Sequence, residues 1–289
     1  MSSSTNMQRK RIIHSTVYHY SEPVTFHQHR ILMRPREGHD LRIINTKLEI
    51  EPAANVRWLR DIEGNSVAIV TFEEKADRLK VLAEIDVDVS DDNPIECLID
   101  PRARSYPFQY SPDEQVELVP YRLPSYPYDG LALHDWLREL YQPGQIVDTF
   151  QLLCQLNTRI FESLTYMSRD TMGVQLPHQT LALGSGSCRD YAVLMMEAVR
   201  YWGFASRFVT GYIQMEAGQH GATHAWTEVY LPGSGWRGFD PTNNKLASAE
   251  HISVAVAREQ EKAAPLSGSW EGPSHAYQGI EVSVQVVAV

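Results

Sequence analysis

The chain has 289 residues, 43% hydrophobic and 21% charged, the balance of a globular protein long enough for one large folding unit or two modest ones. Its net charge of −10, from 26 basic and 36 acidic residues, argues against nucleic acid as the main partner, because phosphate binding needs clustered cations. No run approaches the ~18 apolar residues that span a bilayer, Met1 to Asn6 lack the apolar core of a secretion signal, and the three cysteines contain no C-x-x-C pair, so a cytoplasmic protein without disulfides, metal, cofactor or membrane partner is expected.

Strand signals fill the first part of the chain. Thr16 to Tyr20, His27 to Met33, Arg42 to Ile50, Val67 to Phe72 and Leu79 to Val89 carry β-branched and aromatic residues in partial alternation. The clearest run places Val81, Ala83, Ile85, Val87 and Val89 on one face and mostly charged residues on the other. Glu63-Gly64-Asn65 reads as a turn. The basic cluster Arg9-Lys10-Arg11 reads as a solvated lead-in to the first strand. With no helical period here, an antiparallel sandwich-like β domain is expected over residues 8–92.

Seven of the sixteen prolines fall between Pro94 and Pro127. Proline removes an amide donor and fixes φ, so residues 93–128 are expected to form a surface linker, neither helix nor central strand. Helices follow. Leu131, Leu133, Trp136, Leu137, Leu140 and Tyr141 fit one apolar face. Val147 to Leu164 predicts a second helix, with Phe150, Leu153, Cys154, Ile160, Phe161 and Leu164 turned inward; Cys154 on that stripe reads as a small buried hydrophobe. Nothing nearby activates Cys97.

A third helix is expected to start at Ser187 or Cys188, with Ser187 as N-cap, Asp190 at the acidic position of a capping box and Gly203 as the stop. Its apolar residues cover most of its circumference, so it is expected to lie centrally. Three strand-like runs follow, Arg207 to Gln214, His224 to Leu231 and Trp236 to Asp240, and the chain ends in another, Ile280 to Val289. Residues 129–289 are expected to form one catalytic domain that includes this last strand.

Three residues at the edges of these elements carry chemistry. Cysteine attacks as thiolate, and a helix N-terminus or a neighbouring imidazolium favours that charge, so Cys188 at the start of the third helix is the candidate nucleophile. The flanking Gly184 and Gly186 would let a substrate backbone come close. The Cys188 amide is the candidate oxyanion donor, with Tyr166 or a residue near Gln179 as a possible second. If the strands of His224 and Asp240 pair through the Leu231 to Gly235 turn, both residues fall at the same far end of the hairpin, where Asp240 could accept the Nδ1 hydrogen of His224. Trp226 would pack beside the imidazole. Each residue alone has a plainer reading: a small residue at a helix start, a hydrogen-bonded strand histidine, an Asp-Pro turn. Their position and order are what select catalysis. Gly184-Ser185-Gly186-Ser187 is no phosphate loop, since no Gly-Lys follows. His220 and His224 lack helical metal-ligand geometry.

Gly186-Ser187-Cys188-Arg189-Asp190-Tyr191-Ala192, Ala205 to Tyr212, His224-Ala225-Trp226-Thr227-Glu228-Val229-Tyr230 and Gly235 to Asn243 together resemble the bacterial transglutaminase-like proteins. His14 to Tyr20, Leu32-Met33-Arg34-Pro35 and Asp61-Ile62-Glu63-Gly64-Asn65 resemble that family's N-terminal β domain, and Val254 to Arg258 and Ala264 to Gly268 its segment after the site. The resemblance implies an α+β fold, a papain-like transglutaminase core of helices packed on an antiparallel sheet preceded by an N-terminal β-sandwich-like domain. It also implies a catalytic triad on Cys188, His224 and Asp240, with Tyr166, Gly186, Ser187 and Trp226 lining the site. Ala257-Arg258-Glu259-Gln260-Glu261 departs from the family's Gly-Arg-Asp-Tyr run followed by an Asp. The implied activity is acyl transfer through a thioester on a peptide, protein or small amide. Hydrolysis is the first expectation, transfer to an amine the alternative, and an inert binding module the third reading.

Overall fold

Alternating β-branched residues make long antiparallel strands at the start of the chain. A computed structural model describes residues 7–90, 98–169, 171–214 and 221–289; Cys97 and His220 lie outside the described residues. Six strands come first: β1 (Met7–Phe26), β2 (His29–Ile31), β3 (Leu41–Glu51), β4 (Ala54–Arg60), β5 (Ser66–Phe72) and β6 (Ala76–Ser90). One sheet pairs β1 with β6 and β6 with β3; a second pairs β2 with β5 and β5 with β4. Val81, Ala83, Ile85, Val87 and Val89 are all buried, facing Ala68 and Val70 of the second sheet in one apolar core. β4 carries no sequence signal because nearly all of its side chains face solvent.

The basic cluster in β1 is not uniformly solvated. Successive strand residues point to opposite faces, so Arg9 and Arg11 reach out to Asp88 and Asp86, each at 2.7 Å. Lys10 points in and is buried, and its ammonium donates to the Ala249 carbonyl at 2.5 Å.

The proline-rich stretch also differs from expectation. It holds two short helices, α1 (Pro112–Glu117) and α2 (Val119–Arg122). Both carry proline in the first turn, where a missing amide donor costs nothing. Ser111 and Glu114 close a capping box on α1: the Glu114 amide donates to Ser111 Oγ at 3.3 Å, and the Ser111 amide to Glu114 Oε2 at 2.9 Å. The boundary expected after residue 92 falls among residues 91–97, which are not described.

The strand β7 (Ser105–Tyr106) follows before α1 in the chain and pairs with β8 (Val147–Asp148), with α3 (Gly130–Leu137) between them. The helix α4 (Thr149–Ser163) starts at Asp148, whose carboxylate accepts the Gln151 amide at 2.8 Å. Then come β9 (Thr165–Tyr166), α5 (Pro177–Leu183), β10 (Ser185–Gly186) and α6 (Cys188–Tyr201). Leu133, Leu137, Leu153 and Ile160 are buried as their stripes predict, whereas Leu131 and Phe161 face solvent.

A central sheet then forms, in the order β14 (Lys245–Leu246), β13 (Gly235–Asp240), β12 (His224–Leu231), β11 (Ser206–Ile213), β15 (His251–Ala257), all antiparallel. The helices cover one face of it through Leu156, Leu194, Met195, Val199, Val229 and Phe239. Two hydroxyls lock α6 to this sheet: Thr227 Oγ1 donates to the Ala192 carbonyl at 2.7 Å and Ser206 Oγ to Met196 at 3.1 Å.

The end of the chain returns to the beginning. β16 (Leu266–Ser267) pairs with β2, while β17 (Trp270–Glu271) and β18 (Tyr277–Ala288) both pair with β1. The last strand therefore joins the N-terminal sheet through β1, and Val284 also exchanges backbone hydrogen bonds of 2.8 and 3.0 Å with Gly221 of the region with which the sequence groups it. Its alternation of Val282, Val284 and Val286 fits the edge of β1 equally well.

Candidate active site

The start of α6 is held by one carboxylate. Asp190 is fully buried and accepts from the Ser187 amide (2.8 Å), the Ser187 hydroxyl (2.7 Å), the Gln175 amide (2.7 Å) and Arg169 Nη1 (2.6 and 2.8 Å). Burial alone would raise this carboxyl, but those amides, the guanidinium and the hydroxyl hold it below the usual carboxylate range. Gly186 is what lets Asp190 in: a Cβ there would stand 2.9 Å from Asp190 Cβ. Gly184, with φ of 61°, ends α5 in the left-handed conformation. Both glycines thus serve the local fold of the chain. Arg189 Nη2 donates to the Arg169 carbonyl at 3.0 Å and to the Thr171 carbonyl at 2.5 Å, tying both residues to the start of α6.

Cys188 is the first residue of α6 and is partly exposed. Beside it stands the buried His224. His224 Nε2 donates to Asp240 Oδ2 at 2.8 Å, and Cys188 lies near enough to the same imidazole to act on its charge. With Nε2 committed to Asp240, Nδ1 is left for the sulfur. The sequence reading had this the other way round. In the hairpin register Thr227 opposes Phe239, so Asp240 at the end of β13 lies level with Trp226, two residues past His224.

Burial would push the His224 imidazole down, but hydrogen bonds to Asp240 and Cys188, with their charge, raise it to about 10. The same partnership acts on Asp240. Burial would raise it, yet His224, His251 and Asn243 hold it well below the usual carboxylate range. Asp240 Oδ1 accepts from the Thr242 and Asn243 amides at 3.0 and 3.3 Å, and Oδ2 also accepts Asn243 Nδ2 at 2.7 Å.

Trp226 packs beside the imidazole, with ring centroids 6.1 Å apart. Two glycines on the flanking strands make its slot: a Cβ on Gly211 would meet the indole at 2.5 Å, and one on Gly238 at 3.3 Å. Tyr166 also belongs to the site. β9 runs parallel to β10, placing Tyr166 opposite Gly186, and the ring turns an edge to Tyr191 at 6.4 Å. Its hydroxyl is raised above the ordinary phenol value by burial and by the neighbouring Cys188. Gln179 Oε1 accepts the Leu176 amide at 3.0 Å and caps α5.

The structure joins His224 to Asp240 and Trp226, sets Tyr166 opposite Gly186, and leaves Cys188 near enough to His224 and Tyr166 to act on both. It adds two residues that the sequence reading leaves unassigned, Asn243 and His251. His251 Nε2 lies 3.1 Å from Asp240 Oδ2. His224, Asp240 and His251 are close enough to share a cation. The hydrogen-bond pattern favours proton sharing instead, because the Ser248 amide donates to His251 Nδ1 at 3.3 Å and leaves the ring hydrogen on Nε2, facing Asp240.

This fold and this site define a transglutaminase-like protein. Residues 10–88 match the bacterial transglutaminase-like N-terminal region, and residues 146–241 match the transglutaminase-like superfamily. The two matches follow each other along the chain in the order expected from the sequence. The uncharacterised protein Rv2569c of Mycobacterium tuberculosis is 28% identical over 299 residues, covering 96% of this chain and 92% of its own length. The uncharacterised protein ML0607 of Mycobacterium leprae is 24% identical, covering 92% of this chain and 94% of its own. A crystal structure of a presumptive cysteine protease from Cytophaga hutchinsonii superposes with a TM-score of 0.74 over 99% of this chain and 92% of that one. At 18% identity this shows the shared fold.

Proposed function

We propose that the protein is a cysteine-dependent enzyme that forms a thioester on Cys188 from a peptide, protein or small amide substrate and passes the acyl group to water. The observation that supports this reading is the buried His224 ring, bonded to the Asp240 carboxylate at 2.8 Å and close enough to Cys188 to feel its charge. His224 Nδ1 takes the thiol proton, and the resulting imidazolium and the N-terminus of α6 both favour negative charge on sulfur. The sulfur attacks the carbonyl carbon. The imidazolium then returns the proton to the departing amine as the carbon–nitrogen bond breaks. Water, deprotonated by the same imidazole, releases the acid and restores the thiol. Asp240, anchored by five donors, keeps the ring oriented and balances its charge. The Cys188 amide and the Tyr166 hydroxyl are the proposed donors to the oxyanion.

The resemblance to a presumptive cysteine protease supports hydrolysis; the superfamily itself also accommodates transfer to an amine. Mass spectrometry of a glutamine-containing peptide incubated with the protein, with and without a primary amine, separates the two. Hydrolysis leaves glutamate or cleaved peptide whether or not amine is present; a mass increase equal to the added amine, with no hydrolysed product, would replace water as the acceptor. Cys188→Ala is expected to abolish both products while the far-ultraviolet circular dichroism stays that of the parent. Turnover that survives this substitution rejects the mechanism.

A further inference from the structure

His251 comes from β15, the strand at the opposite edge of the central sheet from β14, and its side chain is essentially buried. Three contacts determine what its ring does. The Ser248 amide donates to Nδ1 at 3.3 Å. Nε2 stands 3.1 Å from Asp240 Oδ2. The indole of Trp226 lies edge to face against the ring, centroids 5.2 Å apart at 77°. An amide hydrogen on Nδ1 requires a lone pair there, so the ring hydrogen sits on Nε2 and is donated to Asp240.

The oxygen that receives it matters. Asp240 Oδ1 is occupied by the amides of its own turn, from Thr242 and Asn243. Oδ2 is the atom that accepts the His224 ring at 2.8 Å and the Asn243 side-chain amide at 2.7 Å. His251 therefore binds the same oxygen as His224, from the other side, and its tautomer is set by the backbone.

We propose that His251 is a positioning residue for the Cys188 site: a neutral, Nε2-protonated imidazole that holds Asp240 Oδ2 in line with His224 and keeps the carboxylate ionised. The relay then runs from Cys188 to His224 to Asp240 to His251, with Trp226 flanking both imidazoles. This rests on the reading of Cys188 as nucleophile given above.

The test is alkylation of Cys188 by iodoacetamide at pH 6 in the full chain, followed by mass spectrometry, for the parent, His251→Leu, His251→Gln and His224→Gln. Removing the donor in His251→Leu is expected to slow labelling about tenfold or more, the loss of one hydrogen bond to a charged acceptor. Glutamine carries an amide donor of similar reach, so His251→Gln should stay within about threefold of the parent. His224→Gln should lose the reactivity almost entirely. Parent-like labelling in His251→Leu, or equal loss in His251→Leu and His251→Gln, overturns the positioning role. Parent-like labelling in His224→Gln overturns the nucleophile reading beneath it, and the two failures are told apart by that variant. If His251→Leu does not fold, nitrogen-15 spectra of the parent decide: the Nε2-protonated tautomer at His251 is expected, and the Nδ1-protonated one overturns the proposal.

Discussion

The chemistry turns on how few atoms around Cys188 are free to move. The start of α6 is fixed by Asp190, the imidazole by Asp240, and Asp240 by His251, Asn243 and the turn amides. Tyr166 is the exception, a half-exposed side chain on a two-residue strand. If its hydroxyl stabilises the oxyanion, Tyr166→Phe should lower kcat about a hundredfold, the cost of one such donor, with KM little changed. A larger KM with kcat intact would make it a substrate contact instead. Much of this was legible in the sequence. Cys188, His224 and Asp240 stand out because each sits at an element boundary in the order of the reaction. His251 does not, because its contact with Asp240 spans a sheet whose strand order places β15 and β13 three positions apart. No spacing along the chain encodes that neighbourhood.

Elements with a strict period were readable and those without one were not. β6 and α6 follow their apolar patterns closely. β4 is exposed on both faces and shows no pattern, and α1 and α2 hide in a proline-rich stretch, each taking a proline into its first turn. The turn at Asp61 to Asn65 was legible as a turn, but its purpose lies far away in sequence. Asn65 is completely buried; its Nδ2 donates to the Val256 carbonyl at 2.8 Å and its Oδ1 accepts the Val256 amide at 3.0 Å. One side chain so completes the backbone hydrogen bonding of β15, two residues from Val254 and on the same strand as His251. Asn65→Ala leaves both groups of Val256 buried and unpaired, at a cost of about 2–4 kcal/mol. Urea denaturation should show that loss. A change below about 0.5 kcal/mol would mean that solvent satisfies Val256 instead.

At the scale of the molecule, the N-terminal sheets and the central sheet share one apolar core through Tyr212, Ile252, Val254, Ile12 and Val284. A buried polar contact lies inside it. Tyr212 donates to the Met33 carbonyl at 3.2 Å, and His14 of β1 hydrogen-bonds to the Tyr212 hydroxyl at 3.0 Å and Thr16 Oγ1 at 3.1 Å. Burial pushes the His14 imidazole down to about 4 from an ordinary 6.5. A depressed value means that the unfolded chain binds this proton first as the pH falls. The contribution of neutral His14 is therefore complete above pH 6.5 and is lost progressively toward pH 4, on the order of 3 kcal/mol in all. Urea midpoints for the parent should fall across that window more steeply than those of His14→Gln. Parallel curves would show that the ring charges inside the fold without penalty.

The central claim is that His224 makes Cys188 a nucleophile, and the rate of iodoacetamide labelling of Cys188 at pH 6 tests it most directly. The account predicts that the parent reacts at least about tenfold faster than a free cysteine, which is almost wholly protonated at that pH, and that His224→Gln reacts no faster than the free amino acid. Equal rates in the parent and in His224→Gln would contradict it.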